Sequence, residues 1–182
     1  TVQLTDFSEG IVRPHENTHG VYKEDRLNIL RKTQCNLSHV FGMVKDEEGF
    51  LDALYEKWVY EPVFLTGKSD DGCQHGLWRI GSAKANMVSA FFADKPIYIV
   101  DGHHRYGSAL MYAQEKAVIG KSEHPAAHML FAIANTFDPG LIVFPTHRIV
   151  LPQAITPPNL SALEKDFLLA PMTFDELTHF VK

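Results

Sequence analysis

Apolar positions repeat along this chain with two different periods, and the switches between them mark out its elements. From Val21 to Thr33 a charged first stretch, Lys23-Glu24-Asp25-Arg26, is followed by Leu27 and Leu30 on one face, which predicts a helix. Ser38–Val44 reads as a strand. Phe50, Leu51, Leu54, Tyr55 and Trp58 recur at helical spacing and predict a helix through Trp58 that buries this stripe, with Asp46 as its N-cap. Pro62–Thr66 and Cys73–Ile80 read as two strands joined by the polar, glycine-bearing stretch Gly67–Gly72, a hairpin. A short helix over Lys84–Phe92 precedes the β-rich run Pro96–Val100, and a good helix former follows over Tyr106–Ala117.

Met129–Ala134 and Leu141–Val150 are again apolar, and Asp138-Pro139-Gly140 between them is a strong turn, so the two runs are expected to pair. Past Leu151 the prolines at 152, 157 and 158 mark a linker. Two short helices with capping boxes follow, at Ser161–Glu164 and Thr173–Glu176. The expected class is mixed α/β (α+β), with a sheet that need not be purely parallel. The expected organisation is one domain over residues 1–150 and a linker with a C-terminal helical segment over 151–182.

Composition narrows the function more than the fold. At 182 residues, 45% hydrophobic and 21% charged, the chain is long enough to bury a core without staples. A formal charge of -5 gives no general basic face for nucleic acid. No run approaches the ~20 apolar residues of a membrane span, and the start Thr1-Val2-Gln3-Leu4 has no signal-peptide pattern, so a cytoplasmic location is expected. That start also reads as the middle of a strand-like pattern, so a piece of a longer protein is expected. Cys35 and Cys73 have no CxxC spacing and offer neither a disulfide framework nor a cysteine zinc site.

The chemistry concentrates at Asp101-Gly102-His103-His104-Arg105, between the 96–100 strand and the following helix. A strand-to-helix turn directs backbone N–H groups outward at the positive end of the helix dipole, which makes an anion site. Gly102 lets a phosphate approach the backbone, and Arg105 can grip it with two hydrogen bonds. Two other clusters stand out: Arg13-Pro14-His15-Glu16-Asn17-Thr18, which Pro14 biases to an extended loop, and Pro145-Thr146-His147-Arg148 in an otherwise apolar run. Lys23–Arg26 reads more simply as a solvated helix face. Adjacent His103 and His104 should point apart and not share one metal ion. No HExxH, GxxxxGK[ST] or GxGxxG occurs, so a phosphate site has to be built by the signature turn itself.

Pro14-His15-Glu16, Lys23-Glu24-Asp25-Arg26-Leu27, Tyr98 through Tyr106, Asp138-Pro139-Gly140-Leu141 and Pro145-Thr146-His147-Arg148 occur in that order. Together they resemble the bacterial and archaeal family DUF1015. The PHE and DGHHR segments are also similar to those of the ParB/sulfiredoxin superfamily, particularly its free-serine kinase branch. That resemblance implies a ParB-like domain that holds the phosphates of ATP or ADP at the strand–turn–helix motif. It implies Glu16 as the base for a hydroxyl nucleophile and Asp101, the other catalytic candidate, as a Mg2+ or substrate contact. Gly102, His103, His104 and Arg105 become phosphate contacts. Beside that resemblance, His15, His147 and Arg148 are candidate substrate contacts, His147 and Arg148 alternatively for the nucleotide tail. The expected activity is phosphoryl transfer from a nucleotide to a hydroxyl of an amino acid or similar metabolite. A non-catalytic nucleotide-binding regulatory module is the alternative, and a metal-dependent nuclease-like phosphodiesterase the third.

Overall fold

The computed structural model describes residues 1–16, 20–142 and 160–176. The chain divides into two units, Thr1–Leu141 and Ile142–Lys182. Its class is mixed α and β. In the first unit the order is β1 (Val2–Gln3), β2 (Val12–Arg13), α1 (Gly20–Thr33), β3 (Val40–Val44), α2 (Phe50–Trp58), β4 (Leu65–Lys68), β5 (Gln74–Leu77), α3 (Ser82–Phe91), β6 (Ile97–Asp101), α4 (His103–Glu115), β7 (His128–Met129) and β8 (Phe131–Asn135).

Four strands form the central sheet in the order β2-β6-β3-β8. β2 runs parallel to β6, β6 antiparallel to β3, and β3 parallel to β8, so the sheet is mixed as expected. Period-two alternation sets its faces: Val40, Val44, Ile97 and Ile99 are buried while Tyr98 is exposed. Gly42 sits in the middle of β3 because a Cβ there would lie 2.9 Å from Ile97 Cγ2. α4 packs against α1. Its Tyr106, Ala109, Leu110 and Ala113 join Leu4, Val12, Val40 and Ile99 in one core. The site therefore stands on the best-packed part of the unit: β6 lies inside the sheet and α4 is buried along most of its length. Among the described residues no helix is long and apolar enough to cross a membrane.

Several expectations need correction. Asp46 is not the N-cap of α2; Gly49 is, with φ at 67°. Asp46 is instead buried, its carboxylate accepting the Leu51 N–H at 2.8 Å while Asn135 brackets its backbone on both sides. The α2 stripe buries Leu51 and Leu54, but Tyr55 stays about half exposed. The hairpin forms as β4 against β5, shifted toward its polar tip, and both strands are exposed throughout. In the second unit, α5 (Leu160–Leu163) already contains Ser161, so that residue does not cap it. The other capping box does form: the Glu176 N–H donates to Thr173 Oγ1 at 3.2 Å, and the Thr173 N–H to Glu176 Oε2 at 2.8 Å. The Asp138–Gly140 turn is closed by Leu141 N–H on Asp138 O at 3.0 Å. Residues 143–150, and with them the strand expected after that turn, lie outside the described residues.

Candidate functional site

The signature segment is less of a turn than its composition suggests. Asp101 is the last residue of β6, and α4 begins at His103, so Gly102 alone makes the turn. The expected helix start at Tyr106 is too late because the Tyr106 N–H already donates to Gly102 O at 2.9 Å, closing the first helical turn. Gly102 has φ 97° and ψ 23°, and no side chain caps the helix there. An anion approaching α4 thus meets its positive end directly. Alanine at 102 would force an L-residue into left-handed backbone and put a Cβ 3.0 Å from Arg105 Nε. Gly102→Ala is expected to cost about 1–2 kcal/mol in denaturant unfolding and to weaken anion binding by displacing the guanidinium.

Starting the helix early splits the five residues into three roles. Arg105 reaches back one turn to Asp101, its Nη2 paired with Oδ2, and its Nη1 donates to Ser38 Oγ at 3.0 Å. The guanidinium is held in place by these bonds, and part of its donor set is already committed. His103 turns inward and is 3% exposed. His104 lines the cleft in front of it.

The loop after β2 supplies the partner for His103. Parallel pairing sets Arg13 beside Tyr98, and Pro14 keeps the chain extended, so the next residues pass the end of β6. The Ile99 carbonyl can only accept, so His15 Nδ1 carries the proton in their 2.9 Å contact. The His15 backbone N–H donates to His103 Nε2 at 3.3 Å. That assignment leaves the His103 proton on Nδ1, which donates to Glu16 Oε1 at 3.1 Å. The two rings meet edge to face with centroids 4.4 Å apart. Glu16 is half exposed, so its carboxylate is anchored from behind by a buried imidazole and open to solvent in front.

Burial is the main cause that holds the His103 pKa below the usual histidine value; His15 and His104 act in the same direction, and Glu16 and Asp101 oppose them. The imidazole is then a neutral donor at neutral pH. A depressed folded-state pKa means the unfolded chain binds the proton first as pH falls. The stability tied to neutral His103 is therefore complete above about pH 6.5 and drains away as pH drops through the lower folded value. Nitrogen-15 NMR should show a neutral Nδ1–H tautomer at pH 7 and a titration midpoint below 6.5. A midpoint at or above that value would rule out the neutral donor.

His15, Glu16 and His103 each offer a ligand atom, all within 4.8 Å of one another. Two imidazoles and a carboxylate would suit a transition metal. The bonds already made argue otherwise, since a metal at His103 Nδ1 would move its proton to Nε2, against the His15 N–H. The site reads better as a hydrogen-bonded carboxylate than as a metal centre.

In front of Glu16 and α4 lies a cleft of about 410 Å³. Glu16, Asp25 and Asp101 oppose Arg26 and Arg105 along its walls, three acids against two guanidiniums. Gly102, His103, His104 and Arg105 all line this cleft, whose walls carry both signs of charge. Asp25 and Arg26, read from the sequence as a solvated helix face, line the cleft because α1 packs on α4. Ser38 belongs to none of the sequence motifs. Its signal lies in the register: Phe41 pairs antiparallel with Asp101, so residues before β3 face residues after β6. His147 and Arg148 lie outside the described residues.

No curated protein and no solved structure gives a significant match to the chain. A family model does, over residues 1–180, and its description is "Protein of unknown function (DUF1015)". With nearly the whole sequence matched, the chain belongs to the DUF1015 family.

Proposed function

We propose that this protein is a nucleotide-dependent phosphotransferase acting on a hydroxyl of a small metabolite, in the manner of the free-serine kinases its motifs resemble. The observation that carries this reading is the placement of Glu16. A carboxylate distant in sequence from the signature is fixed by His103 at the mouth of a cleft whose floor is an uncapped helix N-terminus. Phosphoryl transfer needs positioned phosphates, neutralised charge and an aligned nucleophile, and little else from a protein. Gly102 and the first turn of α4 provide the backbone donors, and Arg105, braced by Asp101 and Ser38, a fixed guanidinium. Glu16 takes the proton of the attacking hydroxyl. His103, as a neutral donor, orients that carboxylate without competing for the same proton, a role different from the phosphate contact expected of it.

The excess of acids over guanidiniums in the cleft bears on the cofactor. A polyphosphate alone would be repelled by Glu16, Asp25 and Asp101; it is better received as its Mg2+ complex, whose positive charge offsets them. Asp101 would be the hard oxygen ligand for that ion. Its side chain is mostly exposed although Oδ2 is paired with Arg105.

The test is direct. Protein, Mg2+, ATP or ADP and a pool of hydroxyl-bearing amino acids are incubated and searched for a phosphorylated product by mass spectrometry. Product that depends on protein and nucleotide supports the reading. Nucleotide binding without any product would favour a regulatory module, and metal-dependent cleavage of a phosphodiester would favour the nuclease-like activity.

A further inference from the structure

The phosphate cleft has a neighbour. Arg26, Ser38 and Arg105 belong to its wall and also to the wall of a second, smaller depression beside it. The far side of that depression is apolar, made by Ile29 and Leu30 from α1, Leu37 from the loop before β3, and Met129 from β7. Leu37 is 71% exposed although it adjoins the buried Met129, so an apolar edge stands open next to a polar cleft. Asn36 supplies a carboxamide on the same rim, able both to donate and to accept.

We propose that this depression receives the base of the nucleotide whose phosphates occupy the cleft. The inference rests on the phosphotransferase reading and adds which side of the cleft the nucleotide extends to. A nucleotide has two ends of opposite character, a charged phosphate chain and a flat, weakly polar ring with a hydrogen-bonding edge. The two depressions have the same pair of characters and share the Arg105–Ser38 pair as the partition between them. The Arg105 guanidinium, held to Ser38 at 3.0 Å, then stands where chain and nucleoside join. Ile29, Leu30 and Leu37 contact the ring face, and Asn36 the ring edge. The other end of the cleft, at Glu16, is left for the acceptor hydroxyl.

Cys35 lines the depression and reports on it, whereas Cys73, the only other cysteine, lies just before β5 in the exposed hairpin and serves as an internal control. The full chain is treated with an uncharged maleimide in the presence of Mg2+, with ATP, with inorganic triphosphate or with neither, and binding is measured in parallel by equilibrium dialysis. ATP is expected to slow alkylation of Cys35 several-fold and leave Cys73 unchanged, while bound triphosphate protects neither. Leu37→Ala should weaken ATP about tenfold, the worth of a lost apolar contact, and leave triphosphate binding as it was. ATP that binds without protecting Cys35, or triphosphate that protects it equally, overturns the placement of the base while the phosphotransferase reading stands. Failure of both ATP and ADP to bind overturns the two together.

Discussion

Glu16→Gln is expected to lower the rate of phosphorylated-product formation by about 10²–10⁴-fold, the usual worth of a general base, with nucleotide affinity unchanged. The substitution is unusually clean here. A glutamine carbonyl oxygen can still accept the His103 Nδ1–H that now reaches Glu16 Oε1 at 3.1 Å, so the loop after β2 keeps its anchor. What disappears is the negative charge and the ability to take a proton. Full activity in this variant would show that Glu16 is not the base. Loss of nucleotide binding would show that Glu16 acts in binding the nucleotide rather than in removing the hydroxyl proton. His103→Gln separates positioning from chemistry. Glu16 remains but is no longer held by a rigid ring, so kcat should fall less than in Glu16→Gln. The acid limb of the rate profile should also lose whatever part His103 protonation contributes. A merely structural role for His103 would lower the yield of folded protein and leave that profile alone.

The sequence made some of this arrangement legible and hid the rest for identifiable reasons. Strands with a strong period lie where the pattern predicts them because a buried face enforces its spacing: Val40, Gly42 and Val44 alternate inward. α1 also extends over almost the expected range, with Leu27 buried. Local polar chemistry was harder to read. Asp46 looks like the N-cap residue because it precedes a helix, yet Gly49 holds that position; the buried Asp46 carboxylate accepts the Leu51 N–H, and its backbone is tied to Asn135 at the far end of β8. The signature looked like a turn because glycine, acid and imidazoles are turn and cap residues by propensity. Gly102 alone satisfies the turn, and the tertiary environment puts His103–Arg105 into the helix. The most consequential contact, between Glu16 and His103, depends on β2 running parallel to β6. No local pattern encodes that register. Motif resemblance marked both residues as functional, but it could not say that they touch, nor that Ser38 and the Asp25–Arg26 pair would complete the walls.

Tyr106→Ala should destabilise the protein by about 3–5 kcal/mol in urea unfolding at neutral pH, the usual range for losing a fully buried large aromatic. Tyr106 is 0% exposed. Its ring stacks on Phe7 with centroids 5.1 Å apart and meets Phe131 edge-on at 6.0 Å. Its hydroxyl donates to Thr5 O at 2.9 Å and accepts from the Thr5 N–H at 3.1 Å, satisfying both backbone groups of one residue. Tyr106→Phe isolates that second function: the stack survives while the Thr5 N–H and C=O lose their partner, for about 1–3 kcal/mol. The site gives the pair of variants a further use. Tyr106 follows Arg105 directly, and its N–H closes the first turn of α4 on Gly102. The ring therefore clamps the start of α4, from which Arg105 projects, against Thr5 and Phe7 in the segment leading into β2, the strand that Glu16 follows. Tyr106→Phe should keep nucleotide affinity near its original value, and Tyr106→Ala should lose much of it even where the chain is still folded. Equal loss of affinity in both variants would place the control of the site in the Thr5 hydrogen bonds rather than in the packing of the ring. An alanine variant with undiminished stability would show that Tyr106 is not the clamp.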